Sequence, residues 1–310
     1  MSVHAFIPVV WSKKFKDVLD PALVFRNCVN TDYEGEIKQQ GDTVRVNTIG
    51  PVTVSPYTKN TINLTPEVLQ GAGQPLQITE ADYFYVAIDD IDKAQVNVGV
   101  MEQAMKRASF SMKNTIDSFI ATTIAAGVHE DNILEVSGTT SSSTSNPIVI
   151  GTGVGDTDAY ALLVNLATRL NKANVPDGDR WVVVNPDFIG LLLLDARFTN
   201  FGTGSAMDTI KAGSSMGGAL GGSLAGALRT LTGLDVYVSN QIPKTAEGGV
   251  YTILAGYKGA TSYAEQMPEG QPEAFRLQTG FADAMRGLDL YGAKVFEPAG
   301  LASAYVQFSV

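Results

Sequence analysis

Residues 91–126 read IDKAQVNVGVMEQAMKRASFSMKNTIDSFIATTIAA. Within them Ile91, Ala94, Val98, Met101, Met105, Ala108, Met112, Thr115 and Phe119 recur at steps of three and four. An α-helix turns once in about 3.6 residues, so this spacing lines them along one side of a long helix. Asp89, Asp90 and Asp92 stand where the helix dipole favours negative charge, and Gly127 supplies a stop. At about 1.5 Å per residue the helix would run roughly 50 Å, well beyond the usual three or four turns. Met-rich heptads can signal a coiled coil. Ala and Thr at several seam positions instead favour packing along a sheet.

Upstream, residues 1–40 read as an arm. Pro8 and Pro21 interrupt it, Trp11, Phe15, Val18 and Leu19 could line a short helical face, and residues 23–25 are a brief apolar patch. Such a segment is expected to lie on a neighbouring surface rather than bury itself. In residues 41–90, Thr43-Val44-Arg45-Val46-Asn47 alternates like a strand, and a second strand is expected over residues 77–88. Pro51, Pro56 and Pro66 exclude long helices between them, and Gly71-Ala72-Gly73 with Pro75 reads as a turn. The result is a long, projecting two-stranded structure. An isolated hairpin is marginal in water, so it needs a docking partner.

Downstream, strands are expected at residues 133–136 and 147–150, with a Ser/Thr loop at 138–145. An alternating pattern then begins: a helix capped by Asp158 through Leu170, a strand at 181–184, a helix at 187–198 opened by Pro186, and strands at 234–239 and 250–254. The strand at 181–184 lacks polar alternation, which implies burial on both faces. Residues 202–233 are rich in Gly, Ala and Ser, with a short helix expected at 220–231. Residues 157–265 therefore read as an α/β unit. Strands return at 273–277, 288–296 and 304–308, joined by residues 283–287 and 298–300. They group with residues 128–150 as one domain into which the α/β unit is inserted.

Composition narrows the function. The chain has 310 residues, 45% hydrophobic and only 17% charged, with a formal charge of -10. About a quarter charged is typical of a soluble domain, so part of this surface is expected to meet another subunit. The acidic balance argues against tight binding to DNA or RNA, which needs clustered Lys and Arg to replace phosphate counterions. The single Cys28 excludes an intrachain disulfide framework. The start of the chain lacks a signal-peptide pattern, and no apolar run approaches the roughly 20 residues of a membrane span. A soluble protein made in a reducing cytoplasm is expected.

The candidates for chemistry are thin. Cys28 would need a base, but the only histidines are His4 and His129. An inert buried thiol is the better reading for Cys28, and a solvated or capping role for His129. Gly151-Thr152-Gly153-Val154-Gly155 follows a strand and precedes a helix, yet Asp156 stands where a dinucleotide fingerprint needs Gly and no Lys follows for a phosphate loop. It reads as a connection with Asp156 or Asp158 as helix cap. Asp89/Asp90 and Glu34/Glu36 lack calcium-loop spacing. Lys106, Arg107 and Lys113 form the densest basic group, too small to read nucleic acid. Asp208, Lys211 and Arg229 are the titratable groups of the Gly-rich stretch, which reads as a structural loop. No catalytic, cofactor-binding or metal-ligating residue, no cofactor and no enzymatic activity is expected.

The order of parts, with Asn30-Thr31-Asp32-Tyr33-Glu34-Gly35-Glu36-Ile37 followed by Gly41-Asp42-Thr43-Val44-Arg45-Val46, resembles the tailed-bacteriophage major capsid proteins of the Hong Kong 97-type fold. The resemblance implies an α+β fold with an N-terminal arm (1–40), an extended E-loop (41–90), a P-domain with its spine helix (91–156, helix 91–126), an inserted A-domain (157–265) and returning P-domain strands (266–310). It further implies a coat protein that assembles into pentamers and hexamers of an icosahedral head, enclosing double-stranded DNA without sequence-specific binding. Scaffolding and portal proteins would be partners, no membrane would be involved, and the virion capsid would be assembled in the host cytoplasm. Some members crosslink through Lys and Asn; Lys59 and Asn60 are adjacent, no acid is identified to serve them, and that chemistry is not carried over. Two alternatives stand beside this reading: an encapsulin-like compartment and a nucleotide-binding α/β enzyme.

Overall fold

In a computed structural model, residues 23–32, 43–49, 59, 71–89, 100–136, 140–151, 153, 155–194, 232–245, 249–266, 272–278 and 280–309 are described. The expected arm up to residue 22, the stretch 33–42, most of 50–70, the helix start at 90–99, and residues 195–231 with the short helix at 220–231 lie outside them.

The first element is a single helical turn, α1 (Val24–Asn27). β1 (Thr43–Ile49) and β2 (Gly71–Gln77) pair antiparallel from Thr43 opposite Gln77 to Ile49 opposite Gly71. The stretch Gly71-Ala72-Gly73 with Pro75 is therefore strand rather than the expected turn. Proline is tolerated because a strand in a two-stranded ribbon has an edge that needs no N–H donor. The second expected strand is divided at Ile78 and Thr79, beyond which β3 (Glu80–Asp89) begins.

The long helix, α2 (Val100–Gly127), has 28 described residues, about 42 Å of axis. Met105 and Met112 are buried as expected, but Thr115 is exposed. The buried line instead runs through Met112, Ile116, Ile120 and Ile124, with Asp117 and Ala121 beside it. These residues lie on the side of the helix that packs against residues 23–29 and the sheet, and the assumed line passes outside that contact at Thr115.

β4 (Glu135–Val136), β5 (Thr140–Ser141) and β6 (Ile148–Ile150) are short. α3 (Ala159–Lys172) buries Leu162, Leu163, Leu166 and Leu170, and ends with Arg169 and Lys172 where the dipole favours cations. β7 (Arg180–Val184) is buried throughout. α4 (Pro186–Leu194) opens with Asn185 Oδ1 accepting from Phe188 N at 3.1 Å, an N-cap bond. β8 (Asp235–Val238), β9 (Tyr251–Tyr257), β10 (Thr261–Gln266), β11 (Glu273–Arg276), β12 (Ala282–Val295) and β13 (Leu301–Phe308) complete the chain.

One sheet has the order β6-β13-β9-β7-β8. In the other, β12 pairs with β3 through residues 282–291, and with β11 and β10 in succession through 283–286 and 290–295. Strand pairing thus crosses the expected boundaries at 157 and 265. β13 and β6 join the sheet of β7 and β9, while β10 joins that of β12. Residues 283–287, expected as a connector, are the first half of β12. Gly287 is there because Phe84 crosses it: a Cβ would lie 2.3 Å from the ring.

The five-stranded sheet divides two cores. Val182, Val184, Ile253, Ala255, Ala302 and Ala304 face α3 and α4. Trp181, Val183 and Leu254 face the side carrying α2 and α1. β7 is buried on both faces, as its lack of polar alternation implied.

Candidate functional site

The outstanding surface is a sheet face built by β3 and β12. Successive residues of a strand point to opposite faces. Phe84 enters the core under α2, so Tyr83 and Tyr85 point outward, 77% and 50% exposed. Tyr83 stands opposite Leu288 and Tyr85 opposite Arg286. Tyr85 stacks on Phe275 with centroids 6.1 Å apart, and the Arg286 guanidinium lies 5.0 Å from the same ring while pairing with Glu273 at 2.8 Å. Leu76 and Ile78, at the root of the β1–β2 ribbon, pack on Ala264 and Leu290 at the other end of this face. Lys294 Nζ donates to Pro75 O at 3.0 Å, and a Cβ on Gly292 would come within 2.2 Å of Gln77 O, so ribbon and sheet are in close contact. One end of the face is covered by the chain's own ribbon and the other presents aromatic rings. Contiguous exposed aromatic surface of this kind marks a contact site.

A groove of about 490 Å³ runs between β3 and α2, lined by Phe84, Tyr85, Ala104, Ala108 and Met112 among others. β3 has one partner, β12, among the described residues, and its other edge borders this groove. An apolar groove beside a strand is suited to receive another chain.

Residues 23–32 behave differently from the expected arm. Leu23, Phe25, Cys28 and Val29 are buried against α2 and the sheet. Asp117 on α2 accepts from Val24 N at 3.1 Å, Asn30 N donates to Thr261 O at 2.9 Å, and Tyr263 N donates to Asn30 O at 2.9 Å. The expectation that this part of the arm cannot bury itself is corrected: Leu23 and Phe25 are spaced to enter one core, and backbone bonds to β10 hold them there. Arg26 pairs with Glu265 at 3.5 Å, and Tyr263 donates to Glu265 at 3.1 Å. Asp289, fully buried, has no hydrogen-bond partner for either carboxylate oxygen among the described residues. Burial first, and then the charge of Glu265, raise its pKa to about 8; burial likewise raises Asp117 to about 6.

The candidates for chemistry are scattered. Cys28 is buried, donates to Val24 O at 3.5 Å, and is pushed well above its ordinary pKa by burial and then by Asp117. His129 is exposed and accepts from Asp131 N at 3.3 Å, capping a one-turn helix. Asp156 closes the glycine loop: its Oδ2 accepts from Gly153 N at 3.0 Å and from the Ser309 hydroxyl at 2.6 Å. A carboxylate thus occupies the place where a phosphate loop would hold an anion. Asp158 sits at the N-cap of α3 without a side-chain capping bond. Asp89 ends β3 rather than opening a helix. Lys106 and Arg107 are exposed on α2, and Lys113 Nζ lies 5.4 Å from the Phe110 ring centroid. Lys59 is exposed in a turn. His4, Glu34, Glu36, Asn60, Asp90, Asp92, Thr152, Val154, Asp208, Lys211 and Arg229 lie outside the described residues. Among those described, no three acidic, His or Cys side chains are grouped to hold a metal, and no helix is long and apolar enough to cross a membrane.

Comparison with known proteins decides the family. The profile of a family described as phage capsid protein matches residues 72–304. The chain belongs to the phage capsid protein family. The resemblance to tailed-phage major capsid proteins, drawn from the order of parts, is met. A solved structure from Mycobacterium phage Che8 is similar at 26% identity, covering 93% of this chain and 91% of that one, with a TM-score of 0.61. The capsid of cyanophage P-SCSP1u has the same fold at 17% identity, covering 93% and 89%, with a TM-score of 0.64. A virus-like particle from Pyrococcus furiosus shares it at 12% identity, covering 94% and 96%, with a TM-score of 0.52. No curated protein sequence matches the chain.

This capsid protein is a structural phage coat protein located in the virion capsid, with a mixed helix and sheet fold. Sequence reasoning missed its two buried acids. Asp289 alternates with apolar residues along β12, and Asp117 falls beside Ile116 and Ile120 on the buried face of α2. An acid on an apolar periodicity was the available signal.

Proposed function

We propose that this chain is the subunit of an icosahedral phage head, assembling as pentamers and hexamers around packaged double-stranded DNA and performing no catalysis. Residues 1–40 serve as arm, 41–90 as E-loop, 91–156 and 266–310 as P-domain with α2 in its spine helix, and 157–265 as A-domain. Strand pairing favours moving β6 and β13 into the A-domain and β10 into the P-domain. Scaffolding and portal proteins join it during assembly in the host cytoplasm, and the acidic chain lines the shell without gripping DNA.

The observation that carries this reading is the sheet face with Tyr83 and Tyr85 uncovered at one end and a β1–β2 ribbon rooted at the other. The ribbon of a neighbouring copy supplies the missing cover, and head-to-tail repetition of one such contact closes rings. The test is sedimentation and negative-stain microscopy of the protein expressed alone and with its genomic neighbours. Closed shells hundreds of times heavier than a 32.9 kDa chain are expected. Monomers or dimers under every condition would overturn the reading, and shells carrying a co-purifying enzyme would indicate a cargo compartment instead.

A further inference from the structure

We propose that residues 23–32 form a strap held against the sheet by protons on two buried carboxyl groups, Asp117 and Asp289, and loosened when these ionise. The strap is built from three contacts. Asp117 receives the Val24 N–H at its start, Arg26 reaches Glu265 in its middle, and Asn30 is bridged to β10 at its end. Asp289 lies on the face of β12 that meets this middle contact. Antiparallel register places it across from Asp82 of β3, and its same-face neighbour Tyr291 across from Glu265 of β10.

The groups acting on Asp289 are therefore Glu265 and Asp82 as acids, Arg26 as the cation, Tyr263 beside Glu265, and Tyr291, whose hydroxyl is engaged by Asp82. With Asp289 neutral, it adds no charge beside the Arg26–Glu265 pair. With Asp289 ionised, a further buried anion stands beside Glu265, the Leu290 amide facing it offsets less than burial costs, and water must enter to solvate it. The route for that water is the cover over this face, which includes the strap. Around Asp117 the facing groups are the Val24 and Phe25 amides, Lys113 one turn back on α2, and the Cys28 thiol, which Lys258 and Asp235 also influence. Ionised Asp117 is a stronger acceptor for both amides, but its Oδ1 has no hydrogen-bond partner among the described residues, and burial outweighs the gain.

Cys28 lies inside the strap and is the only cysteine, so its modification by a thiol reagent reports opening. Dividing the wild-type labelling rate by that of Asp289→Asn at each pH cancels the thiol's own ionisation. The ratio is expected to lie near one below about pH 4, the ordinary carboxyl range, to rise by about tenfold or more as the pH is raised from there, and to level off near the value of about 8 held by Asp289. Glu265→Gln should move the levelling-off to lower pH, because it removes the nearest like charge. A ratio flat between about pH 4 and about pH 8, or a levelling-off indifferent to Glu265→Gln, would overturn the proposal. Hydrogen exchange of the wild-type chain gives a second reading that needs no variant. Relative to intrinsic rates, the amides of Asn30 and Tyr263 should open with rising pH while Val183 stays protected. Parallel opening of all three would mean global unfolding and would equally overturn it.

Discussion

At the scale of single residues, this coat protein buries two acids, Asp117 and Asp289. Folded Asp117 and Asp289 hold protons up to about 6 and about 8, above the ordinary 3.8. Between the ordinary and the raised values the folded state binds more protons than the unfolded one, so stability falls as pH rises through that window. Denaturation midpoints of the subunit should therefore decline from about pH 4 to about pH 8, and Asp289→Asn should flatten the decline; a midpoint that climbs with pH would contradict this. Other residues act through shape. Ile120 is fully buried on the inner side of α2, and Ile120→Ala should cost about 2–5 kcal/mol in urea unfolding. Gly292→Ala would force a methyl within 2.2 Å of a backbone oxygen of the ribbon root, and about 1–3 kcal/mol of destabilisation is expected by the same measurement.

At the scale of elements, periodicity explains what was legible. α2, α3 and β7 were readable because each repeats one burial rule over several residues. The register of α2's buried face was not, since Thr115 and Ile116 are both compatible with a helical stripe and only the partner surface selects Ile116. β12 was read at half its length because Gly287 signals a turn until Phe84 is known to cross it. The burial of residues 23–29 was hidden because it depends on α2, which is distant in sequence. For the contact surface, Tyr83 and Tyr85 gave only alternation; their exposure follows from Phe84 taking the inner face. Replacing both by Ser should lower subunit stability by less than about 1.5 kcal/mol, because one ring is largely solvated and the other loses one stacking contact. Assembly should nevertheless fail, read as loss of the fast-sedimenting species while the circular dichroism spectrum is unchanged. Shell yields equal to wild type would remove this face from the interface.

At the scale of the whole molecule, the low charged fraction, the ribbon and the aromatic face fit the proposal that neighbouring copies complete this surface. The five-stranded sheet carries a core on each face and shares one of them with the second sheet, so the contact parts outside these cores can be altered independently of folding. Replacing residues 51–70 by a short Gly-Ser linker keeps β1 and β2 and should leave the thermal transition of the subunit intact while blocking shells; an unfolded variant would show that this stretch belongs to the core. The most direct measurement is a cryo-electron microscopy reconstruction of the assembled shell, read at Tyr83 and Tyr85. The account predicts that both rings, exposed in the subunit, are covered by a neighbouring copy's ribbon. Closed shells in which both rings still face solvent would contradict it.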